Sequence, residues 1–127
     1  MRPYLIIFFF FIGLTLNAQE QTCWECILAT QNSDTKTALE KCLQIDKKQK
    51  LSTEEKQVVS FVIGRLLLAD EKPELALKYF SIAEKSGDSL FCAMSKGLIG
   101  DCHLETNQLD LALMNYSKAA ELANNNL

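Results

Sequence analysis

Five cysteines and a single histidine are the residues of this chain with the most distinctive chemistry. The cysteines stand at positions 23, 26, 42, 92 and 102, and the histidine at position 103. Cys23 and Cys26 form a Cys-x-x-Cys pair, a spacing found in redox centres and in half of many zinc sites. Zinc would need two further ligands, and the chain has no second Cys-x-x-Cys and no histidine pair. A thioredoxin-like centre would need a strand–helix–strand context, which the surrounding sequence does not predict.

The alternative interpretation makes the cysteines core residues or disulfide partners of a helical scaffold. Cys92 and Cys102 lie ten residues apart on one predicted helix, about 15 Å along its axis. That exceeds the roughly 7 Å between Cα atoms that a disulfide allows. We interpret His103 as a structural imidazole packed between helices. The chain has no Gly-x-Ser-x-Gly motif and no Gly-rich phosphate loop, so we predict no catalytic residue, no metal and no cofactor.

The elements that position these residues are predicted by an internal repeat. A glycine, an alanine, an aromatic residue and a second alanine recur with the same internal spacing, 36 residues apart. The two sets are Gly64, Ala76, Phe80 and Ala83, and Gly100, Ala112, Tyr116 and Ala119. Self-similarity at this period is typical of stacked helical hairpins. In the predicted packing, each glycine lets two helices approach at the alanines while the aromatic ring fills the adjacent space.

Cap and turn residues predict the helix boundaries. Ser52 and Glu55 match the capping box at a helix start, and Pro73 suits the first position of the next helix. Gly87 is predicted to end that helix, since glycine is preferred just beyond helix C-termini. Asp88 or Ser89 then begins the following one. Leu75 and Tyr79 are predicted in the buried stripe, together with Ala76, Phe80 and Ala83.

A degenerate third repeat is predicted nearer the N-terminus. Ala38, Cys42 and Ile45 keep the second-helix spacing, 38 residues before the next set. Cys26 stands where a glycine would, and therefore faces Cys42. In an oxidising compartment we predict a Cys26–Cys42 disulfide, with Cys23 as the competing partner. The apolar face of its first helix is predicted to comprise Trp24, Ile27 and Leu28.

The N-terminus has the features of a secretory signal peptide. After Arg2, residues 4–16 carry no charge, and as a helix they would span about 20 Å, short of a roughly 30 Å hydrocarbon core. Ala18 is the expected last residue before cleavage. We therefore predict a signal peptide at 1–18 and a repeat domain at 19–127, with repeats at about 20–50, 57–90 and 93–126. A secreted or periplasmic location follows, and the alternative is an uncleaved membrane anchor.

The composition limits the classes of partner. The 127 residues allow one modest domain, with 48% apolar and 23% charged residues. The formal net charge is −3, and no stripe of Lys and Arg is present. Nucleic-acid binding is therefore not expected.

Over about residues 57–124 the pattern resembles the tetratricopeptide repeat family, in particular secreted or membrane-associated bacterial members. The glycine, alanine and aromatic positions match that family's signature. The sequence departs from it at three positions in each repeat. These are Ser60, Leu67 and Asp88 in one, and Lys96, His103 and Asn124 in the other. The resemblance implies an all-α fold of antiparallel helix-hairpin repeats, about three in number, stacked as an α-solenoid.

The same resemblance implies a concave groove lined by first-helix residues. Its expected residues are Val58, Phe61, Arg65, Leu68, Met94, Asp101 and Leu104, with a gap at Gly97. Family members that clamp a carboxylate terminus have Lys and Asn here, and this chain has neither at those positions. We therefore expect the groove to bind an apolar or amphipathic protein segment.

The expected function is that of a non-enzymatic protein-interaction module or scaffold of the cell envelope. Two alternatives remain open: a thiol redox or metal-binding protein using Cys23 and Cys26, and a structural subunit or fragment of a larger repeat array. The last predicted helix is followed by no polar capping helix in this sequence. We therefore also expect self-association through the uncapped C-terminal hairpin.

Overall fold

The computed structural model describes residues 18–48 and 50–125, and within these ranges the chain is all-helical. The six helices are α1 (Ala18–Asn32), α2 (Thr35–Lys48), α3 (Thr53–Ala69), α4 (Pro73–Ala83), α5 (Ser89–Glu105) and α6 (Leu109–Asn124). The all-α prediction is confirmed. Apart from Ala18, which begins α1, the predicted signal peptide lies outside the described residues.

The helices form three hairpins, α1–α2, α3–α4 and α5–α6, because consecutive helices joined by short turns pack against each other. The first helices of the hairpins lie side by side, with α3 in contact with both α1 and α5. The second helices α2 and α4 also contact the first helix of the next hairpin. Within the described ranges α2, α4 and α6 do not contact one another. The first helices therefore form the inner layer, and the second helices lie on the outside without touching one another in the described ranges.

Local sequence signals explain where most of these helices begin. The capping box is confirmed: the Glu55 amide donates to Ser52 Oγ at 3.2 Å, and the Ser52 amide donates to Glu55 Oε1 at 3.1 Å. Pro73 is the first residue of α4, as predicted. Asp88 caps α5 by accepting a hydrogen bond from the Phe91 amide at 2.9 Å.

The predicted role of Gly87 is wrong. Helix α4 ends at Ala83, and Glu84 follows it in a right-handed conformation at φ −65°. Gly87 lies farther along the connection and does not have a positive φ. No left-handed residue is needed where α4 ends, so the conformational freedom of glycine has no function there.

Two other helices do end on a left-handed residue, and in neither case is it glycine. Glu71 follows α3 at φ 60°, and Asn107 follows α5 at φ 59°. The turns carry the same pair of backbone hydrogen bonds, which is that of a Schellman motif. They are Glu71 to Leu68 and Lys72 to Leu67 after α3, and Asn107 to Leu104 and Gln108 to His103 after α5. Each donor and acceptor after α5 lies 36 residues beyond its counterpart after α3. The repeat found in the side chains is therefore also present in the backbone.

The two helices of each hairpin meet at one recurring contact between residues 16 positions apart. A Cβ atom built at Gly64 would lie 2.7 Å from the ring of Phe80, and one at Gly100 would lie 2.6 Å from the ring of Tyr116. The aromatic rings therefore lie directly over the glycines, as expected for two positions that face each other across a hairpin. In the first hairpin Cys26 and Cys42 occupy the same two positions.

Several residues predicted to be buried are exposed. Trp24 and Leu28 are about half exposed, whereas Cys26 and Ala29 are the buried residues of α1. Within the described ranges α1 has only α2 and α3 as neighbours, so its remaining face is uncovered. Leu75 is also half exposed, because it lies about 100° around the helix from buried Ala76.

The prediction for His103 also needs correction. The imidazole is not enclosed between helices but partly exposed, and its Nδ1 lies 2.7 Å from Oε1 of Gln108. The ring therefore bridges the α5–α6 turn.

Two glycines of α5 should respond in opposite ways to alanine. A methyl group at Gly97 meets open space, so Gly97→Ala should stabilise the fold by about 0.5–1 kcal/mol through helix propensity. Gly100→Ala makes the same propensity gain but forces the Tyr116 ring to shift, and a net loss of roughly 1–3 kcal/mol is expected. Urea unfolding of the two variants measures the difference. Equal stabilities would contradict the assigned packing.

Candidate functional site

The inner layer of first helices carries three adjoining concavities. One of about 480 Å³ lies between α1 and α3, and another of about 480 Å³ lies between α3 and α5. A third, of about 530 Å³, lies between the C-terminal ends of α3 and α5. Shared lining residues join them into one surface: Arg65 borders the first two, and Asp101 borders the last two. We call this surface the inner groove.

All seven residues predicted from the sequence line the inner groove. The central concavity contains Phe61, Arg65, Met94 and Asp101. Val58 extends the surface toward α1, and Leu68 and Leu104 extend it toward the helix ends. Gly97 borders the central concavity, and a Cβ atom at this position would meet no atom within 4 Å. The glycine therefore leaves a real gap in the wall of the groove.

Phe61 differs from the other six residues because it belongs to the core. Its side chain is only 7% exposed. The ring centroid lies 6.1 Å from that of Phe80 in an edge-on arrangement and 5.0 Å from that of Phe91. A charged residue here would unpack the contact between the second and third hairpins. Phe61→Glu is therefore unsuitable as a test of binding, contrary to what the sequence pattern indicates.

Sequence reasoning missed the contribution of α1 to the inner groove. Ile27, Thr30 and Gln31 line the concavity between α1 and α3. Ile27 precedes Arg65 by 38 residues, the same offset that relates Cys26 to Gly64. Carrying the repeat register into the first hairpin would have identified it.

Two opposite charges flank the middle of the groove. Arg65 is exposed, and within residues 18–48 and 50–125 its guanidinium has no ion-pair partner. Asp101 accepts a hydrogen bond from the hydroxyl of Tyr116. Desolvation, together with this hydrogen bond to Asp101, raises the pKa of Tyr116 to about 12. The phenol therefore stays protonated at ordinary pH and anchors Asp101 to α6, while Arg65 remains available to a ligand.

The cysteines do not form a joint Cys-x-x-Cys centre. Cys26 is bonded to Cys42, with 4.9 Å between their Cα atoms, and both are fully buried. Cys23, Cys92 and Cys102 are free thiols. Burial and the neighbouring carboxylate of Glu55 raise the pKa of Cys23, so little of its reactive thiolate is present near neutral pH.

The other two thiols are also held by the scaffold. Cys92 donates to the backbone carbonyl of Glu84 at 3.0 Å. Burial, with a smaller contribution from the negative charge of Asp101, raises the pKa of Cys102 to about 11.

In the part of the chain that the structure describes, no group of three His, Cys, Asp or Glu side chains is arranged to hold a metal ion.

Comparison with known proteins gives no identification. No protein-family model matches the chain, and no curated protein or solved structure is significantly similar to it. None of the helices described in residues 18–48 and 50–125 is both long enough and apolar enough to span a membrane.

The Cys26–Cys42 disulfide should contribute measurably to stability. It closes a loop of 16 residues, for which the chain-entropy treatment gives roughly 3 kcal/mol. Reduction, or the double change Cys26→Ala with Cys42→Ala, should lower the free energy of unfolding by about 2–4 kcal/mol.

Peptide mapping without reduction provides the direct readout, and Cys23→Ser serves as the matched control. That variant should keep both the bond and the stability. Recovery of Cys26 linked to Cys23 would contradict the pairing.

Proposed function

We propose that this chain is a tetratricopeptide-like repeat protein whose inner groove binds an apolar or amphipathic segment of another protein, without catalysing a reaction. The three hairpins, the recurrent contact at 16-residue separation and the 36-residue shift of the turn hydrogen bonds support the repeat assignment. The signature residues that lead to this family are those of the second and third hairpins.

One observation carries the binding proposal: large apolar side chains stand exposed on a rigid concave surface. Met94 and Leu104 are 55% and 47% exposed, and both lie on α5 facing the inner groove. Apolar side chains gathered in a concavity with a few polar groups are typical of recognition sites. They lie on helices, so little conformational entropy is lost when a ligand binds.

The two charged residues of the inner groove narrow the class of protein segment that it is proposed to bind. Arg65 has no ion-pair partner in the described residues and lies beside Met94. A carboxylate on the bound segment could accept bidentate hydrogen bonds from its guanidinium. Asp101 lies on the other side of the groove, where a basic or hydrogen-bond-donating group fits. The proposed ligand is thus apolar at its centre and carries an acidic residue that reaches α3.

The redox or metal-binding alternative is less well supported. Cys26 is buried and bonded to Cys42 rather than to Cys23. The pKa of the Cys23 thiol is raised, whereas reactive members of Cys-x-x-Cys pairs have a lowered pKa. We therefore assign the Cys26–Cys42 pair a structural role.

Peptide selection tests the groove. Peptides selected from a random library on the wild-type protein should combine apolar residues with an acid. Gly97→Leu should weaken binding of a selected peptide at least tenfold, about 1.4 kcal/mol, because the side chain enters the gap in the groove, where its Cβ atom meets no other atom within 4 Å. Isothermal titration calorimetry measures the affinity.

Gly87→Leu is the matched control, since it adds the same side chain to open space outside the groove. It should bind the peptide like the wild type, and Arg65→Glu should lose the preference for acidic peptides. Unchanged affinity of Gly97→Leu would locate the binding surface elsewhere.

We further propose export into an oxidising compartment, secreted or periplasmic, with cleavage after Ala18. The uncharged N-terminal run and the Cys26–Cys42 bond support it, since structural disulfides persist in such compartments. Mass spectrometry of the protein from its native host should find Gln19 as the first residue. An intact Met1 on membrane-bound material would favour the anchored alternative.

A further inference from the structure

One exposed side of α6, roughly a third of a turn around the helix from the side packed on α5, is a stripe with no ionisable side chain. It consists of Leu109, Leu113, Ser117, Ala120 and Asn124, which recur every three or four residues and so share one side of the helix. Leu113 and Leu109 are 67% and 62% exposed, among the highest exposures of large apolar residues in the described ranges. We call this face the α6 stripe.

The internal repeat shows what such a face does elsewhere in the molecule. Leu39 of α2 and Leu77 of α4 are the equivalents of Leu113, and both pack against the core. In the first two hairpins this face of the second helix therefore holds the following hairpin. The α6 stripe is the third copy of the same surface, and no described element covers it.

One residue distinguishes the α6 stripe from the two covered faces. Asp46 of α2 forms an ion pair with Lys56 of the next hairpin, and Glu84, directly after α4, forms one with Lys96 at 3.1 Å. The equivalent residue of α6 is Ala120. The α6 stripe therefore lacks the acidic residue that forms an ion pair with the following hairpin at both internal junctions. Its chemistry is not that of a surface that binds a further hairpin through a lysine.

Stacking of α1 from a second molecule onto α6 is disfavoured by a buried charge. Ile63 and Ile99, at equivalent positions of α3 and α5, are buried. In α1 this position is Glu25, which is exposed. A head-to-tail stack that repeats the internal junctions would bury its carboxylate against a stripe that offers no basic group.

The order of side-chain sizes along the α6 stripe instead makes the stripe complementary to a second, antiparallel copy of itself. The large residues Leu109 and Leu113 occupy its N-terminal half, and the small residues Ser117 and Ala120 its C-terminal half. When two such helices run antiparallel about a two-fold axis near residue 115, Leu113 of each faces Ser117 of the other. Leu109 likewise approaches Ala120, so large side chains fit against small ones along the helix.

We propose that this protein forms a two-fold symmetric dimer through antiparallel pairing of its α6 stripes. A single helix face lies at the small end of stable interfaces, so the dimer depends on protein concentration. Pairing is isologous and closes at two copies. The inner groove lies on α1, α3 and α5 and stays open, so a dimer would present two grooves. The proposal is independent of what the groove binds.

Sedimentation velocity of the full chain over a range of concentrations tests the pairing. Wild-type protein should dimerise, and Leu113→Glu should remain a monomer because it places two carboxylates in the interface. Leu111→Glu is the matched control: it changes the same residue type on the same helix but lies on the opposite side. It should dimerise like the wild type. Circular dichroism should show unchanged helicity in both variants.

A second-site change tests the antiparallel register. In the double variant Leu113→Glu with Ser117→Lys, each new carboxylate faces a new ammonium of the other copy, so the dimer should return. Leu28→Glu, on the exposed face of α1, should leave dimerisation unchanged. A wild-type chain that stays monomeric, loss of the dimer in Leu28→Glu or Leu111→Glu, or failure of the double variant to recover would each overturn the proposal.

Discussion

The structure depends on one contact that is made three times, between residues 16 positions apart on the two helices of each hairpin. In the second and third hairpins a ring lies on a glycine, so close that even a methyl group would collide with it. In the first hairpin a disulfide joins the same two positions. The contact sets the separation of the two helices of each hairpin. The spacing of the hairpins, and hence the shape of the inner groove, depends on this separation.

The three versions of this contact are chemically different solutions to one geometric requirement. A glycine–aromatic pair brings the helix backbones together by removing one side chain and filling the remaining space with a flat ring. Two cysteines bring them together covalently, and the bond stabilises chiefly by constraining the unfolded chain. The first hairpin is the one whose first helix has the least cover, with α2 and α3 as its described neighbours. The covalent link is therefore present in the hairpin whose first helix has the fewest described neighbours.

The third hairpin connects this scaffold contact to the inner groove. Tyr116 packs over Gly100 with its ring and donates to Asp101 with its hydroxyl. In the second hairpin the equivalent residues are Phe80 and Arg65. Phenylalanine has no hydroxyl with which to hold a groove residue, and Arg65 extends freely into the solvent. The hydroxyl of Tyr116 thus anchors Asp101, whereas the equivalent residue Phe80 has no hydroxyl to hold Arg65.

The sequence by itself determined the periodic part of this protein. Residue types that recur at fixed spacing predicted the three hairpins, and Ser52, Pro73 and Asp88 predicted where helices begin, since these are local effects of one turn of chain. The seven groove residues were expected from the resemblance to tetratricopeptide repeats and not from the spacing itself. Tertiary structure decided which residues are covered. Phe61 became core because α4 and α5 both supply rings against it. Trp24 and Leu28 stayed exposed because no described helix lies beyond α1.

Gly87 was predicted as a helix end from its residue type alone. The residues that do adopt the left-handed conformation after a helix are Glu71 and Asn107, where the hydrogen bonds of the turn hold it. Local signals act through neighbours in sequence, but burial depends on which surfaces meet, and that is settled only when the hairpins pack.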